Sequence, residues 1–225
     1  MRILQFRSAL ILVLAVAVSG CMGIGFDSVR DSVRGSGKVI TETRTVSGFT
    51  GVAISGDAKV VIEPGDTERV EITADDNLMG YLTAEVSGSK LTLGPKNNTN
   101  LSSNERITYH VFVKSLKSIE SSGSASIEAK GLRTDSLSVA ASGSGRIDVS
   151  GEAAVQDIAI SGSANYDAED LSSKSVTLAI SGSGNAVLAV SEKLDVQVSG
   201  SGGVEYIWNP QVTKNISGSG SVRQR

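Results

Sequence analysis

From residue 117 onward, apolar and polar positions alternate, and the alternation restarts at each copy of a Ser-Gly-Ser motif. The copies are Ser122-Gly123-Ser124-Ala125, Ser142-Gly143-Ser144-Gly145, Ser161-Gly162-Ser163-Ala164, Ser181-Gly182-Ser183-Gly184, Ser199-Gly200-Ser201-Gly202 and Ser217-Gly218-Ser219-Gly220. From Gly123 the steps between first glycines are 20, 19, 20, 18 and 18 residues. An earlier copy, Ser55-Gly56-Asp57-Ala58, opens the folded region. Four residues before each glycine stand Val52, Ile119, Val139, Ile158, Leu178, Val196 and Lys214. Two before it stand Ile54, Ser121, Ala141, Ile160, Ile180, Val198 and Ile216. Four after it stand Val60, Ile127, Ile147, Tyr166, Ala186, Val204 and Val222. Alternate residues of a strand share a face, so these columns predict buried stripes on two strands joined at the motif.

A fixed period of this length is the mark of a solenoid. Each repeat reads strand, corner, strand. Gly56, Gly123, Gly143, Gly162, Gly182, Gly200 and Gly218 are the predicted structural corners, because glycine reaches backbone angles that other residues resist. Two residues later every copy has Ala or Gly, which suits a chain turning inward. The serine hydroxyls are expected to bond the local backbone there. A hairpin meander would also alternate, but it does not demand the same residue at the same offset. The fold class expected is therefore all-β: a parallel β-helix with rungs of about 18–20 residues and irregular, longer N-terminal rungs.

Between Gly56 and Gly123 the pattern is stretched. Strand-like runs are Lys59–Glu63, Arg69–Thr73, Tyr81–Val86, Lys90–Leu93 and Ile107–Val113, with turns at Pro64-Gly65-Asp66, Asp75-Asp76-Asn77 and Ser87-Gly88. Residues 96–105 lack periodicity and read as a mobile surface loop. Whether residues 57–117 form longer rungs or an inserted antiparallel piece stays open at this point. At the far end, Trp208-Asn209-Pro210 interrupts the last full rung. Arg223, Gln224 and Arg225 read as a polar cap whose charge forbids stacking, so a monomer is expected.

The N-terminal 20 residues have the shape of a targeting segment. Arg2 and Arg7 precede an apolar run, Ala9 to Val18, that is too short for a mature membrane span. Val18-Ser19-Gly20 then precede Cys21, the only cysteine. This resembles the bacterial lipoprotein signal, which implies that Cys21 is lipidated and becomes the first mature residue. The domain plan expected is a signal peptide over 1–20, a tether over 21–36 and one β-helix domain over 37–225. The partner that this anchor implies is the membrane. Met22 after the cysteine resembles the default for sorting to the outer membrane.

With residues 1–20 removed, 19 basic residues face 24 acidic ones, a net charge of −5. That balance is adverse to nucleic acid. Aromatics are only 4% of the chain, as a thin coil filled by Val, Ile, Leu and Ala requires.

Phe49-Thr50-Gly51-Val52-Ala53-Ile54-Ser55-Gly56, followed by Arg69-Val70-Glu71-Ile72, resembles the opening of the putative auto-transporter adhesin, head GIN domain, family. So do Asn77-Leu78, Gly88-Ser89-Lys90-Leu91-Thr92-Leu93 and the Ser-Gly-Ser ladder. The resemblance spans roughly residues 38–222. It implies a right-handed β-helix on an exported, lipid-anchored bacterial protein, and it carries no catalytic motif.

Candidate chemistry is sparse. His110 is the only histidine and lies in an alternating strand, where a structural role is expected. Asp167, Glu169 and Asp170 form the best acidic cluster, and a solvated turn is the simpler account of it. The Gly-Ser-Gly runs precede no helix and are not phosphate loops. No metal site and no cofactor are expected. The function expected is a non-catalytic envelope module that binds an envelope protein or a glycan. The alternative is a carbohydrate-active β-helix enzyme of the lyase or hydrolase type, which would gather carboxylates and a basic residue in one groove.

Overall fold

The computed structural model describes residues 32–96, 99–103 and 105–225. The chain begins with β1 (Ser32–Arg34), β2 (Val39–Arg44), β3 (Gly51–Gly56) and β4 (Lys59–Pro64). β5 (Arg69–Asp75) leads into a short 3₁₀ helix (Asp76–Tyr81), followed by β6 (Leu82–Ser87) and β7 (Lys90–Pro95). Next come β8 (Asn100–Ser102), β9 (Thr108–Val113) and β10 (Ser118–Gly123). The regular part is β11 (Ser126–Gly143), β12 (Arg146–Gly162), β13 (Asn165–Gly182) and β14 (Asn185–Gly200). β15 (Gly203–Ile207), β16 (Gln211–Gly218) and β17 (Ser221–Gln224) complete the last rungs.

The strands stack in parallel as a β-solenoid of about 5 turns. Gly56, Gly123, Gly143, Gly162, Gly182, Gly200 and Gly218 lie directly above one another. Past the corner, Val60, Ile127, Ile147, Tyr166, Ala186, Val204 and Val222 form a second column in register. The sequence columns are thus physical columns, and a hairpin meander is excluded for this region.

The glycine column has a steric cause. Gly143 has φ 115° and Gly182 has φ 124°. A Cβ at Gly143 would lie 2.3 Å from the carbonyl oxygen of Gly123, and one at Gly182 would lie 2.4 Å from that of Gly162. Corner amides are satisfied by the rung beneath: Ser144 N–H donates to Gly123 O at 2.9 Å, and Ser183 N–H to Gly162 O at 2.8 Å. This corrects the expectation that serine hydroxyls would satisfy the corner. Parallel stacking carries the ladder through the bend, so the backbone needs no side-chain help.

The core is the narrow interior of the coil, filled by the alternating inward residues of every rung. Tyr109 and Tyr166 are its largest fully buried side chains. Tyr166 brings a hydroxyl inside, and the fold satisfies it. The hydroxyl donates to Gln156 Oε1 at 2.5 Å, and Gln156 Nε2 donates to Ser173 Oγ at 2.6 Å. Gln156 is fully buried in a column otherwise held by Leu137, Val176, Leu194 and Val212. Burial pushes the Tyr166 hydroxyl far above its ordinary value and the Tyr109 hydroxyl to about 12, so both stay protonated.

The N-terminal region resolves the open question, and both alternatives are present. β3 and β4 form the second rung in space. The chain then steps backward and lays the end rung beneath it: β7 pairs in parallel with β3, and β9 with β4. Antiparallel strands close that end, with β6 on β7, β5 on β9 and β2 on β5. Arg44 ties the cap together by donating to the carbonyls of Leu82 at 2.6 Å and Met79 at 2.8 Å.

Two loop readings are corrected. Residues 32–36, expected as tether, are fixed. β1 pairs in parallel with β8, inside the segment expected to be a mobile loop. Asn77 bonds Ser36 N–H and Arg34 O, and Asp75, fully buried, accepts from Gly37 N–H at 2.7 Å and from the Ser103 hydroxyl. A Cβ at Gly35 would lie 2.0 Å from Asp75 Oδ2, so the strap passes as close as glycine permits. Cys21 and the rest of the tether lie outside the described residues.

The terminal arginines are exposed and paired with carboxylates. Arg223 pairs with Glu205 on its own wall, and Arg225 Nη1 lies 2.7 Å from Glu169 Oε2. The Arg223 hydrogen bond holds the Glu205 carboxyl below its ordinary value. Their charge is matched by wall carboxylates.

Candidate functional site

Two sides of the coil hold strict register. The third is entered through register shifts. The register shifts fall between Ala129 and Leu132, Asp148 and Gly151, Ala168 and Ser172, and Ser173 and Ser175. The differences in rung length are therefore absorbed over short stretches, residues 130–131, 149–150 and 168–171 beside the corner and 191–192 on β14, while Leu132–Leu137 and Gly151–Gln156 pair in register. This is the irregular face of an otherwise rigid scaffold, the kind of place where binding residues are carried.

That face is also concave. A groove of about 850 Å³ crosses it along the stacking direction, from Ser115 and Lys117 past Arg133, Glu152 and Lys174 to Trp208. A smaller hollow of about 350 Å³ continues it, sharing Arg133, Glu152, Ser172 and Trp208. The floor includes buried Ala153 and Ser173. Ser173 is 4% exposed, and its hydroxyl accepts from Gln156, so the floor is tied to the hydrogen-bonded line inside the coil.

Trp208 stands at the end of this groove, 47% exposed, on the corner between β15 and β16. Its φ of 70° makes it the only non-glycine residue with positive φ among those described. Gln224 holds the corner by donating to its carbonyl at 2.5 Å. Pro210 is buried behind it. A bulky residue held in the left-handed region costs of order 1–3 kcal/mol and clusters at functional sites.

The acidic cluster of the sequence does not act as a unit. Asp167 projects onto another wall, where Arg146 reaches it at 3.2 Å and Asp148 at 2.8 Å. Glu169 is paired with Arg225, and only Glu169 and Asp170 line the smaller hollow. Among the described residues no group of three His, Cys, Asp or Glu could hold a metal ion.

His110 is not in the groove. Its ring stacks on Phe112 with centroids 4.4 Å apart, and its Nε2 lies 3.1 Å from Glu63 Oε1. Arg69 covers the same Phe112 ring at 3.5 Å. The histidine is part of a surface stack on β9, as a structural role requires. Among the described residues no helix is long and apolar enough to cross a membrane.

The chain belongs to the family described as putative auto-transporter adhesin, head GIN domain, which matches residues 48–210. Its fold is shared with a putative adhesin from Bacteroides fragilis at 19% identity, with a TM-score of 0.73, covering 86% of this chain and all (100%) of the other. A protein from Parabacteroides distasonis described as a putative lipid binding protein is similar at 21% identity, with a TM-score of 0.55, covering 87% of this chain and 100% of the other. A putative adhesin from Parabacteroides merdae is 22% identical, with a TM-score of 0.51, covering 87% of this chain and 99% of the other. No curated protein sequence matches the chain.

Proposed function

We propose that this protein is an adhesin-like binding module of the bacterial cell envelope. A lipid on Cys21 holds it to the membrane, with the outer membrane favoured, and it binds an envelope protein or a glycan without catalysis. The family and the adhesins among its structural neighbours support the adhesive role. The observation that carries the reading is the groove: a hollow of about 850 Å³ beside the register shifts, against about 400–490 Å³ for the hollows on the other walls. The test is binding of the purified protein to a panel of envelope proteins and glycans. Retention of no member would sink the binding role.

One observation favours a carbohydrate-active enzyme instead. Glu152 and Asp170 share the smaller hollow with Arg133. Both carboxylates are exposed, however, and the hollow is open to water, where a general acid of this kind is ordinarily kept dry. Release of reducing ends or unsaturated products from a polysaccharide, lost in Glu152→Gln, would replace the binding reading with the enzymatic one.

The anchor has its own expected result. Cys21→Ser should move the protein from the membrane fraction into the soluble envelope fraction, because acyl chains supply about 0.8 kcal/mol of membrane affinity per buried CH₂. Unchanged membrane retention would remove Cys21 as the anchor.

A further inference from the structure

Resting on the binding reading above, we infer that the groove holds a neutral saccharide chain laid along the stacking direction, with Trp208 as the platform for one sugar ring. Four observations carry this. First, Trp208 is exposed at the groove end, and the fold keeps it there against a strained backbone of φ 70°. An exposed indole offers a flat apolar face with a polar edge, the surface that the C–H face of a pyranose covers. The left-handed corner places Trp208 in the groove lining, and Gln224 holds the corner through its carbonyl.

Second, the groove between Lys117 and Trp208 is polar and nearly balanced in charge. Lys117, Arg133 and Lys174 are accompanied by Asp135, Glu152 and Asp170, while Glu169 beside them is taken by Arg225. Such a surface offers both donors and acceptors to hydroxyl groups. It lacks the one-signed field that a polyanion or nucleic acid would need. It also lacks the deep apolar pockets that anchor a peptide's side chains.

Third, the floor is preorganised. Ser173, nearly fully buried, has its oxygen fixed by Gln156, which is fixed in turn by Tyr166. The Ser173 hydroxyl is turned inward to Gln156, so it fixes the floor from beneath, between the outward Ser172 and Lys174. A surface whose position is set from beneath binds with less ordering cost than a mobile one. Fourth, the groove crosses successive rungs spaced ~4.8 Å apart, a repeat comparable to one sugar unit, so each rung presents its side chains to one unit of the chain.

Trp208 is the only tryptophan of the chain, so its fluorescence reports this site alone. The full-length protein purified from membranes should be titrated with neutral cello-, xylo-, manno- and chito-oligosaccharides, and with polygalacturonate as a charged control. One neutral series should shift Trp208 emission saturably, with affinity rising with chain length. Trp208→Ala should weaken binding at least about tenfold, as for a hot-spot aromatic, while Trp208→Phe keeps most of it. Melting midpoints of both variants separate a folding defect from a lost contact. Emission unmoved by every neutral saccharide, or equal affinity in Trp208→Ala, overturns the inference. If a protein or polygalacturonate binds while the neutral sugars do not, the saccharide assignment fails and the adhesive reading stands. If nothing in any panel binds, both fail.

Discussion

Gly182→Val should lower the unfolding free energy by roughly 2–6 kcal/mol. The estimate joins ~1–3 kcal/mol for a β-branched residue at positive φ with ~1–3 kcal/mol for overpacking. The cause is local and visible. Gly182 has φ 124°, and its Cβ would stand 2.4 Å from the Gly162 carbonyl oxygen. That oxygen also accepts the Ser183 amide at 2.8 Å, so moving it breaks a corner bond. Domains are stable by only ~5–15 kcal/mol, so the loss is a large share. Gly131 is the control. It too has positive φ, 67°, but nothing lies within 4 Å of its would-be Cβ. Gly131→Asn should cost under about 1 kcal/mol, because asparagine tolerates the left-handed region. Urea midpoints of the two variants give the comparison. Equal shifts would mean that conformational freedom alone matters and the stacked carbonyl does not. Gly218→Ala should be milder despite the same 2.4 Å clash with Gly200 O. It lies in the final rung, which can open locally without carrying the stack with it.

The same physics explains what the sequence reveals. A stacked parallel coil forces like residues to like offsets, so the Gly column and the Val52 and Val60 columns can be read without coordinates. The steps between the glycines also carry a signal. They alternate among 20, 19, 20, 18 and 18 residues, so part of each rung is free of the constraint. Aligning the repeats from both ends isolates residues 130–131, 149–150, 168–171 and 191–192, which border the groove face. Aligning on the glycine alone hides it. Gln156 escapes the columns read beside the glycine, though the same register exposes it as a polar residue in a column of Leu137, Val176, Leu194 and Val212.

Other features had no such signature. The backward step that places β7 and β9 beneath β3 and β4 follows from which edge each strand finds, a long-range choice with no local mark. Leu91 and Tyr109 alternate equally well in a hairpin or a rung. The positive φ of Trp208 is set by the corner around it, so only its oddity as the sole tryptophan beside Asn209 and Pro210 hinted at a role. The strap of residues 32–36 looked like a spacer because it is rich in Gly and Ser. It is held by Asp75, Asp76 and Asn77, which a local reading takes for a simple turn.

The second large effect is expected at the open end of the coil. Among the described residues β16 and β17 each have a neighbour on one side only, β14 and β15, so the far edge of the last described rung presents unpaired backbone groups. Such an edge invites pairing with another chain. Val212 and Val222 are half-buried there, and Ile216 is exposed. Arg223 and Arg225 are engaged by Glu205 and Glu169 on the wall. Lys214 stands differently. It occupies the inward column of Val52, Ile119, Val139, Ile158, Leu178 and Val196, yet it is exposed, with no rung above it among the described residues. An inward-pointing lysine on an edge strand must be buried by any added strand, and in a tail-to-tail pair it meets its own copy. The protein is therefore expected to be a monomer guarded by Lys214. Lys214→Val should make the end self-adhesive, lowering the dimer dissociation constant at least about tenfold in sedimentation experiments. Arg223→Val with Arg225→Val should remove exposed ion pairs worth under about 1 kcal/mol each and leave association unchanged. Dimerisation of the arginine variant but not of Lys214→Val would return the guard to the arginines. A stable dimer of the unaltered chain would show that the open end is an interface.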